Sequence, residues 1–210
     1  MSQRFRRGVF TVSTLDRLDD LRRMVTSLWR HNKVQVQVML ARDWNGAHEL
    51  KTRMGALTTF DTTVFLDTDI YVKGDITELF RIAEKGKLAI YRHLSTGGGP
   101  GHWNSGVMAF NHELGLRLSK VWAPRRLMIA NTSPSSREIK SYYRTDQKSL
   151  QDVIEDFPIY KLSAIYNYII PERTLEDEEE DWEVVRIFHF LHKRCFHRVK
   201  SRAYREWMEL

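Results

Sequence analysis

The run TTVFLDTDIYV, from Thr62 to Val72, decides the fold. Thr62 to Leu66 is short, apolar or β-branched throughout, and closes on an acid, the pattern of a strand buried on both faces. Such a strand belongs in an α/β layer fold, where ligands sit at the carboxyl ends of the strands. Asp67 and Asp69 stand at that end. Two carboxylates two residues apart point the same way in an extended chain, and a slight turn lets both reach one hard divalent cation. Their mutual repulsion costs free energy unless a cation, Lys or Arg offsets it. The pair reads equally well as solvated acids closing a strand.

Outward from this run, strand and helix signals alternate. VFTVST (Val9 to Thr14) is a strand, Asp16 an N-cap, and Leu18, Leu21, Met24, Val25 and Leu28 fall at helical spacing. VQVQVML alternates with period two, and Ala47 to Leu57 is helical. Asp75 caps the helix ITELFRIAEKG, and Gly86 closes it. KLAIYRH and SGVMAF are strands on either side of the Gly-rich loop Ser95–Gly101. A helix over Glu113 to Val121, a loop ANTSPSS and a helix capped by Thr145 and running to Phe157 follow. Strands near Ile159–Ser163 and Val184–Phe190 and an amphipathic helix over Arg202–Leu210 complete the pattern. The expectation is one α/β domain with a mostly parallel sheet. Ending inside a helix suits part of a longer protein.

At 210 residues and 24.9 kDa the chain can bury one sizeable core. No apolar run approaches the ~18 residues of a membrane span, and the first residues carry no secretory pattern. The single cysteine, Cys195, excludes an internal disulfide and a cysteine zinc site and suits the reducing cytosol. A net charge of +6 is compatible with nucleic acid, an anionic membrane face or a phosphorylated small molecule. The acidic run Glu176–Glu183 and the basic stretch His192–Arg205 read as solvated surface. Pro171 to Trp182 reads as an acidic loop or, alternatively, a flap over an acceptor.

Three further segments bear on the acid pair. WNSGVMAFN places Asn104 and the small pair Ser105–Gly106 at the start of a strand, where Gly106 permits close approach to a ligand. TDQKSL places Asp146 and Gln147 in the first turn of a helix, a capping pattern or a polar ligand site. VVRIFHF ends an apolar strand with His189, either a satisfied core residue or an imidazole ligand to the same metal. Trp103, beside the Gly-rich loop, reads as a core or surface anchor or as a stacking surface for an acceptor sugar.

Taken in order, Lys51, Asp67–Asp69, Asn104–Gly106, Asp146–Gln147 and His189 resemble the family 8 glycosyltransferases, related to glycogenin and bacterial galactosyltransferases. The resemblance spans about Val9 to Lys193. It implies a GT-A, Rossmann-like single domain over residues 1–210, with a central mostly parallel mixed sheet flanked by helices. The nucleotide-binding part would be about 1–93 and the acceptor side about 94–200. It further implies metal-dependent transfer of a hexose from a UDP-sugar to a glycan or glycoprotein acceptor, with retention. Thr11, Val12 and Ser13 would line the uridine site. Asp67, Asp69 and His189 would hold Mn²⁺ or Mg²⁺, and Lys51, Asp146 and Gln147 would act on the reacting sugar and diphosphate. Thr68, Asn104, Ser105, Gly106, His192 and Lys193 would complete donor binding. The chain departs from the family where its Gly after H-F-x is His192 and its Lys-Pro-Trp is absent. Lys193, Arg194 and Lys200 stand as replacements for that lysine. Leu18 replaces a first-helix Tyr, and Tyr143 an extra acid.

Two other classes fit parts of the sequence. A haloacid-dehalogenase-like phosphatase would use Asp67 as nucleophile, but Ile70–Tyr71 does not form its usual turn and a second acidic pair is lacking. A basic nucleic-acid-binding module would use the C-terminal charge, but no recognition motif accompanies it. The transferase reading has no nucleic acid as partner and no membrane span.

Overall fold

In the computed structural model of the chain, residues 5–93, 101–132, 146–170, 175–191 and 200–210 are described. The buried run identified in the sequence is β3 (Phe60–Leu66), a central strand with Val64, Phe65 and Leu66 fully enclosed. On one side it pairs in parallel with β1 (Phe5–Thr14), and β1 in turn with β2 (Gln35–Ala41). On the other side it pairs antiparallel with β6 (His102–Asn111). Beyond β6 lie β5 (Leu88–His93), antiparallel to it, and β7 (Ile159–Leu162), parallel to β5. The sheet order is β2-β1-β3-β6-β5-β7, a mixed sheet with most neighbours parallel.

Helices cover both faces, which is why β3 reads as continuously apolar. On one face, Met24 and Leu28 of α1 (Leu18–His31) and Leu79 and Ile82 of α4 (Thr77–Glu84) pack with Val9 and Val64. On the other, α2 (Trp44–Thr52), α3 (Met54–Leu57), α5 (His112–Thr132) and α6 (Asp146–Gln151) pack on Phe10, Phe65 and Met108.

A second, three-stranded sheet has the order β4-β9-β8, formed by β4 (Ile70–Val72), β8 (Tyr168–Ile169) and β9 (Ile187–His189). It carries an aromatic core of Tyr71, Tyr168, Phe188 and Phe190, closed by Trp207 of α8 (Arg202–Met208). The short helix α7 (Leu175–Asp181) sits nearby.

Several local expectations are corrected. Asp16 caps no helix. It lies in a 3-10 turn, Leu15–Arg17, and accepts the Thr14 hydroxyl at 2.5 Å, while Arg17 at the N-cap gives no side-chain cap. The helix over Ala47–Leu57 is broken at Arg53 into α2 and α3. The helix expected to end near Val121 runs on through Pro124. Its anchors on both sides of the proline explain this: Trp122 Nε1 donates to the Asp146 carbonyl and Ser149 Oγ, and Arg126 Nη2 to Asn45 Oδ1 at 2.7 Å. The helix expected to reach Phe157 ends at Gln151, followed by a 3-10 turn. Part of the acidic run forms α7 rather than a loop, and its Glu178 is buried, accepting from Ser201 Oγ and Ala203 N at the start of α8. Asp75 holds the first turn of α4 through the Thr77 amide, and Gly86 closes that helix with φ of 71°. The expected cap Thr145, the ANTSPSS segment beyond Thr132, the Gly-rich loop before Gly101 and Pro171 lie outside the described residues.

Candidate active site

The turn Asp67–Asp69 joins the two sheets. Asp67 N donates to the Gly106 carbonyl at 2.9 Å, fastening the end of β3 to β6. Phe190 N donates to the Asp69 carbonyl at 3.0 Å, and β4 then pairs antiparallel with β9, with Ile70 opposite His189. The small sheet therefore delivers a residue from the far end of the chain to the acids. His189 Nε2 lies 3.4 Å from Asp69 Oδ1 and 3.9 Å from Asp67 Oδ2. One ligand atom from each of the three falls within 4.8 Å of the others, the only such group among the described residues. His189 is buried, whereas the acids keep partial access to solvent.

Lys51, buried at the end of α2, stands between two acids. Its Nζ donates to Asp67 Oδ1 at 2.8 Å and lies 3.0 Å from Asp146 Oδ2. Burial alone would lower its affinity for a proton, but Asp146 and then Asp67 outweigh this and hold the ammonium above the ordinary lysine range. Burial likewise opposes the Asp146 charge, yet Lys51, His48 and the Ser105 hydroxyl hold that carboxyl well below its usual range. Asp67 shifts the other way: its desolvation and the repulsion from Asp69 exceed what Lys51 returns. One ammonium, paired with Asp67 and Asp146, does not balance those two carboxylates and the neighbouring Asp69, so negative charge is left uncompensated. Two oxygens and an imidazole nitrogen facing that excess are a donor set suited to Mn²⁺ or Mg²⁺.

These groups open into a cleft of about 610 Å³. Val12 lines it, while Thr11 and Ser13 are buried, with Ser13 Oγ bonded to backbone carbonyls. Thr68, Asn104 and Gly106 also line the cleft. Ser105 is buried, its hydroxyl within reach of Asp146 Oδ2 (2.7 Å) and Gln147 Oε1 (2.5 Å), so its one proton serves one acceptor at a time. Gln147 lines the cleft, and its amide is also held by β6, accepting from Ser105 N and donating to the Trp103 carbonyl. Trp103 is buried, with Nε1 on Glu155 at 2.8 Å. It is a core anchor, and the stacking role is corrected on that ground. His192, Lys193 and Arg194 lie outside the described residues, and Lys200 is exposed.

The cleft contains groups that the sequence reading passed over. Trp44, Ala47, His48 and Lys51 form one face of α2, a spacing legible in the sequence. Arg17 lies over the Trp44 ring at 5.2 Å and bonds Asp20 at 2.8 Å. Asn167, fully buried, bonds both His189 and Asn104.

No family model matches the sequence, and no curated protein does. Solved structures share its fold. The glycosyltransferase GlyE of Streptococcus pneumoniae superposes with a TM-score of 0.69 at 17% identity, covering 97% of this chain. The chain spans 60% of GlyE. The galactosyltransferase LgtC, in complex with donor and acceptor sugar analogs, gives 0.66 at 12% identity, covering 96% of this chain and 94% of LgtC. Mouse xyloside xylosyltransferase 1 gives 0.56 at 15% identity, covering 88% and 97%. The fold is GT-A, a mixed, mostly parallel sheet flanked by helices, as the sequence resemblance implied. These likenesses do not favour the phosphatase or the nucleic-acid reading. Among the described residues no helix is long and apolar enough to cross a membrane.

Proposed function

We propose that the chain is a metal-dependent glycosyltransferase of the family 8 kind, moving a hexose from a UDP-sugar to a glycan or glycoprotein acceptor with retention. The observation that carries this reading is the convergence of Asp67, Asp69 and His189 beside the Lys51–Asp146 pair, at the carboxyl end of β3 in a GT-A fold. All of these groups line a cleft of about 610 Å³, within the size range of small-ligand sites. GlyE, LgtC and xyloside xylosyltransferase 1, which share the fold, are glycosyltransferases, and this supports transfer of a sugar.

Transfer breaks the bond between the sugar and a diphosphate, so negative charge grows on the leaving group and must be met by fixed positive charge. Asp67, Asp69 and His189 would hold the divalent cation, the imidazole favouring Mn²⁺. Bound there, it supplies Lewis-acid stabilisation of the departing diphosphate. Lys51, held protonated by Asp67 and Asp146, would present its ammonium to the donor. Asp146, kept ionised by Lys51 and held by the Ser105 hydroxyl, would be the carboxylate facing the sugar's reacting side. Gln147 and Asn104 orient the sugar hydroxyls. Val12 and the α2 face, with Trp44 and His48, border the donor.

Thermal denaturation with UDP-, GDP- and CMP-sugars, each with and without Mn²⁺, tests the reading. Stabilisation by the uridine series only when Mn²⁺ is present is the expected result. An equal response to all three nucleotides, or one indifferent to the metal, overturns it.

A further inference from the structure

We infer that Asn167 is a positioning residue that locks His189 as the tautomer bearing hydrogen on Nδ1, so that Nε2 offers its lone pair to the cation site. The inference rests on the metal-site reading above and assigns a role to a residue outside it. Asn167 lies between a 3-10 turn, Ala164–Tyr166, and β8, and its side chain is fully buried. Strand β8 runs parallel to β9 with Ile169 opposite His189, which brings Asn167, just ahead of β8, within bonding distance of the His189 ring.

The direction of each hydrogen bond follows from a donor that cannot be reversed. The Gly106 backbone N–H donates to Asn104 Oδ1 at 2.9 Å, which fixes the Asn104 amide with its oxygen at that point. Asn167 meets the same oxygen at 2.9 Å, and only its Nδ2 can bond there, because Oδ1 would face another lone pair. Asn167 Oδ1 is thereby turned toward His189 Nδ1, 2.9 Å away. An amide oxygen accepts, so Nδ1 of His189 must carry the hydrogen. In the neutral ring, Nε2 is then bare, and it faces Asp69 Oδ1 at 3.4 Å and Asp67 Oδ2 at 3.9 Å. A lone pair opposed to two carboxylates is unfavourable alone and is resolved by a cation between them. The chain Gly106–Asn104–Asn167–His189 thus transmits one fixed backbone polarity across both sheets to the ligand atom. Partners of this kind raise ligand basicity and hold ring orientation, and their loss costs about 10- to 100-fold in metal affinity.

Nitrogen-15 labelling of histidine in the whole chain, with His189 identified by its absence in His189→Gln, reads the tautomer by NMR at mildly alkaline pH without metal. Titration with Mn²⁺ alone, followed by the paramagnetic signal of the free ion, reads affinity. The wild type should show His189 with hydrogen on Nδ1. Asn167→Leu, which keeps side-chain bulk and removes both bonds, should mix the tautomers and weaken Mn²⁺ binding about 10- to 100-fold. Asn167→Asp, which can only accept, should retain the wild-type tautomer. Hydrogen on Nε2 in the wild type overturns the inference whether or not any variant folds. So does a folded Asn167→Leu with unchanged tautomer and affinity. A wild type that binds no Mn²⁺ while its tautomer responds to Asn167→Leu overturns the metal reading and separates that failure from the failure of the lock.

Discussion

A side-chain carbon at position 106 would collide with His189 Cε1 and stand 2.7 Å from Nδ1, so Gly106 is the space into which the imidazole packs. The close approach explains a glycine within a buried strand, where it otherwise weakens the sheet. Retreat of either neighbour is opposed by Asn167, which bonds both His189 Nδ1 and Asn104 Oδ1. Gly106→Ala should therefore cost about 1–3 kcal/mol of stability through overpacking and weaken Mn²⁺ binding together with it. Chemical denaturation and Mn²⁺ titration of the same preparation check both. A variant with wild-type affinity would show that the imidazole has freedom to move.

The acid pair is destabilised by its own charge in the metal-free protein. Desolvation and Asp69 raise the Asp67 carboxyl above its ordinary range despite Lys51. Removing Asp69 relieves that repulsion while deleting a proposed cation ligand. Asp69→Ala should keep the melting temperature of the metal-free protein or raise it, and should abolish the extra stabilisation that Mn²⁺ gives. If the cation contributes even about 3 kcal/mol to the transition state, transfer falls at least about a hundredfold. Circular dichroism, melting with and without EDTA, and donor turnover measure the three effects. Full turnover in the variant with EDTA present would sink the assignment.

Lys51, proposed to face the donor, also serves stability. It is buried against Asp67 and Asp146, and its removal leaves Asp146 charged and without its main partner. Lys51→Met should cost about 3–5 kcal/mol near neutrality, the range for breaking one side of a buried pair. The sign with pH follows from the Asp146 shift, which lies below the unfolded range. The contribution is complete above the unfolded aspartate value of ~3.9 and is lost as pH falls through the lower folded value. The Lys51 shift is upward, so its share is lost only as pH rises through its folded value, above the lysine range. Denaturation midpoints of wild type and Lys51→Met should thus differ most between these limits and converge in acid.

Residues in long periodic segments were legible in the sequence. The β3 run announced a buried strand, and the acids at its end are where ligands gather in such sheets. His189 was legible as an alternative, because an apolar strand ending in histidine leaves its partner undefined. The three-stranded sheet that brings it to the acids was not, since β4 and β8 have three and two residues, too few to show a period. Asn167 was missed for the same reason: its meaning lies in Asn104 and His189, both distant in sequence. His48 could have been found, being one turn before Lys51 on the same face of α2. Trp103 illustrates the converse. Its place beside the glycines left a stacking role open beside that of an anchor, but its indole is buried with Nε1 on Glu155.

His48 gives the cleft its own response to pH. Burial is the main influence on the imidazole and pushes its pKa down, with Lys51 and Arg126 acting in the same direction and Asp146 and Asp67 against it. The folded protein therefore binds fewer protons at this position than the unfolded chain below the unfolded histidine value of ~6.5. Stability from this group is complete above that value and falls as pH drops toward the lower folded value. His48→Gln, which keeps a polar side chain of similar reach, should flatten the loss of stability between about pH 7 and pH 5, measured as the change in urea midpoint against wild type. Its Nε2 lies 3.7 Å from Asp146 Oδ1, so the same protonation adds a cation beside the carboxylate assigned to the sugar. Donor affinity should accordingly lose part of its acid dependence in the variant. Parallel urea midpoints for the two proteins across this interval would show that His48 titrates as a solvated residue and takes no part in the pH response of the cleft.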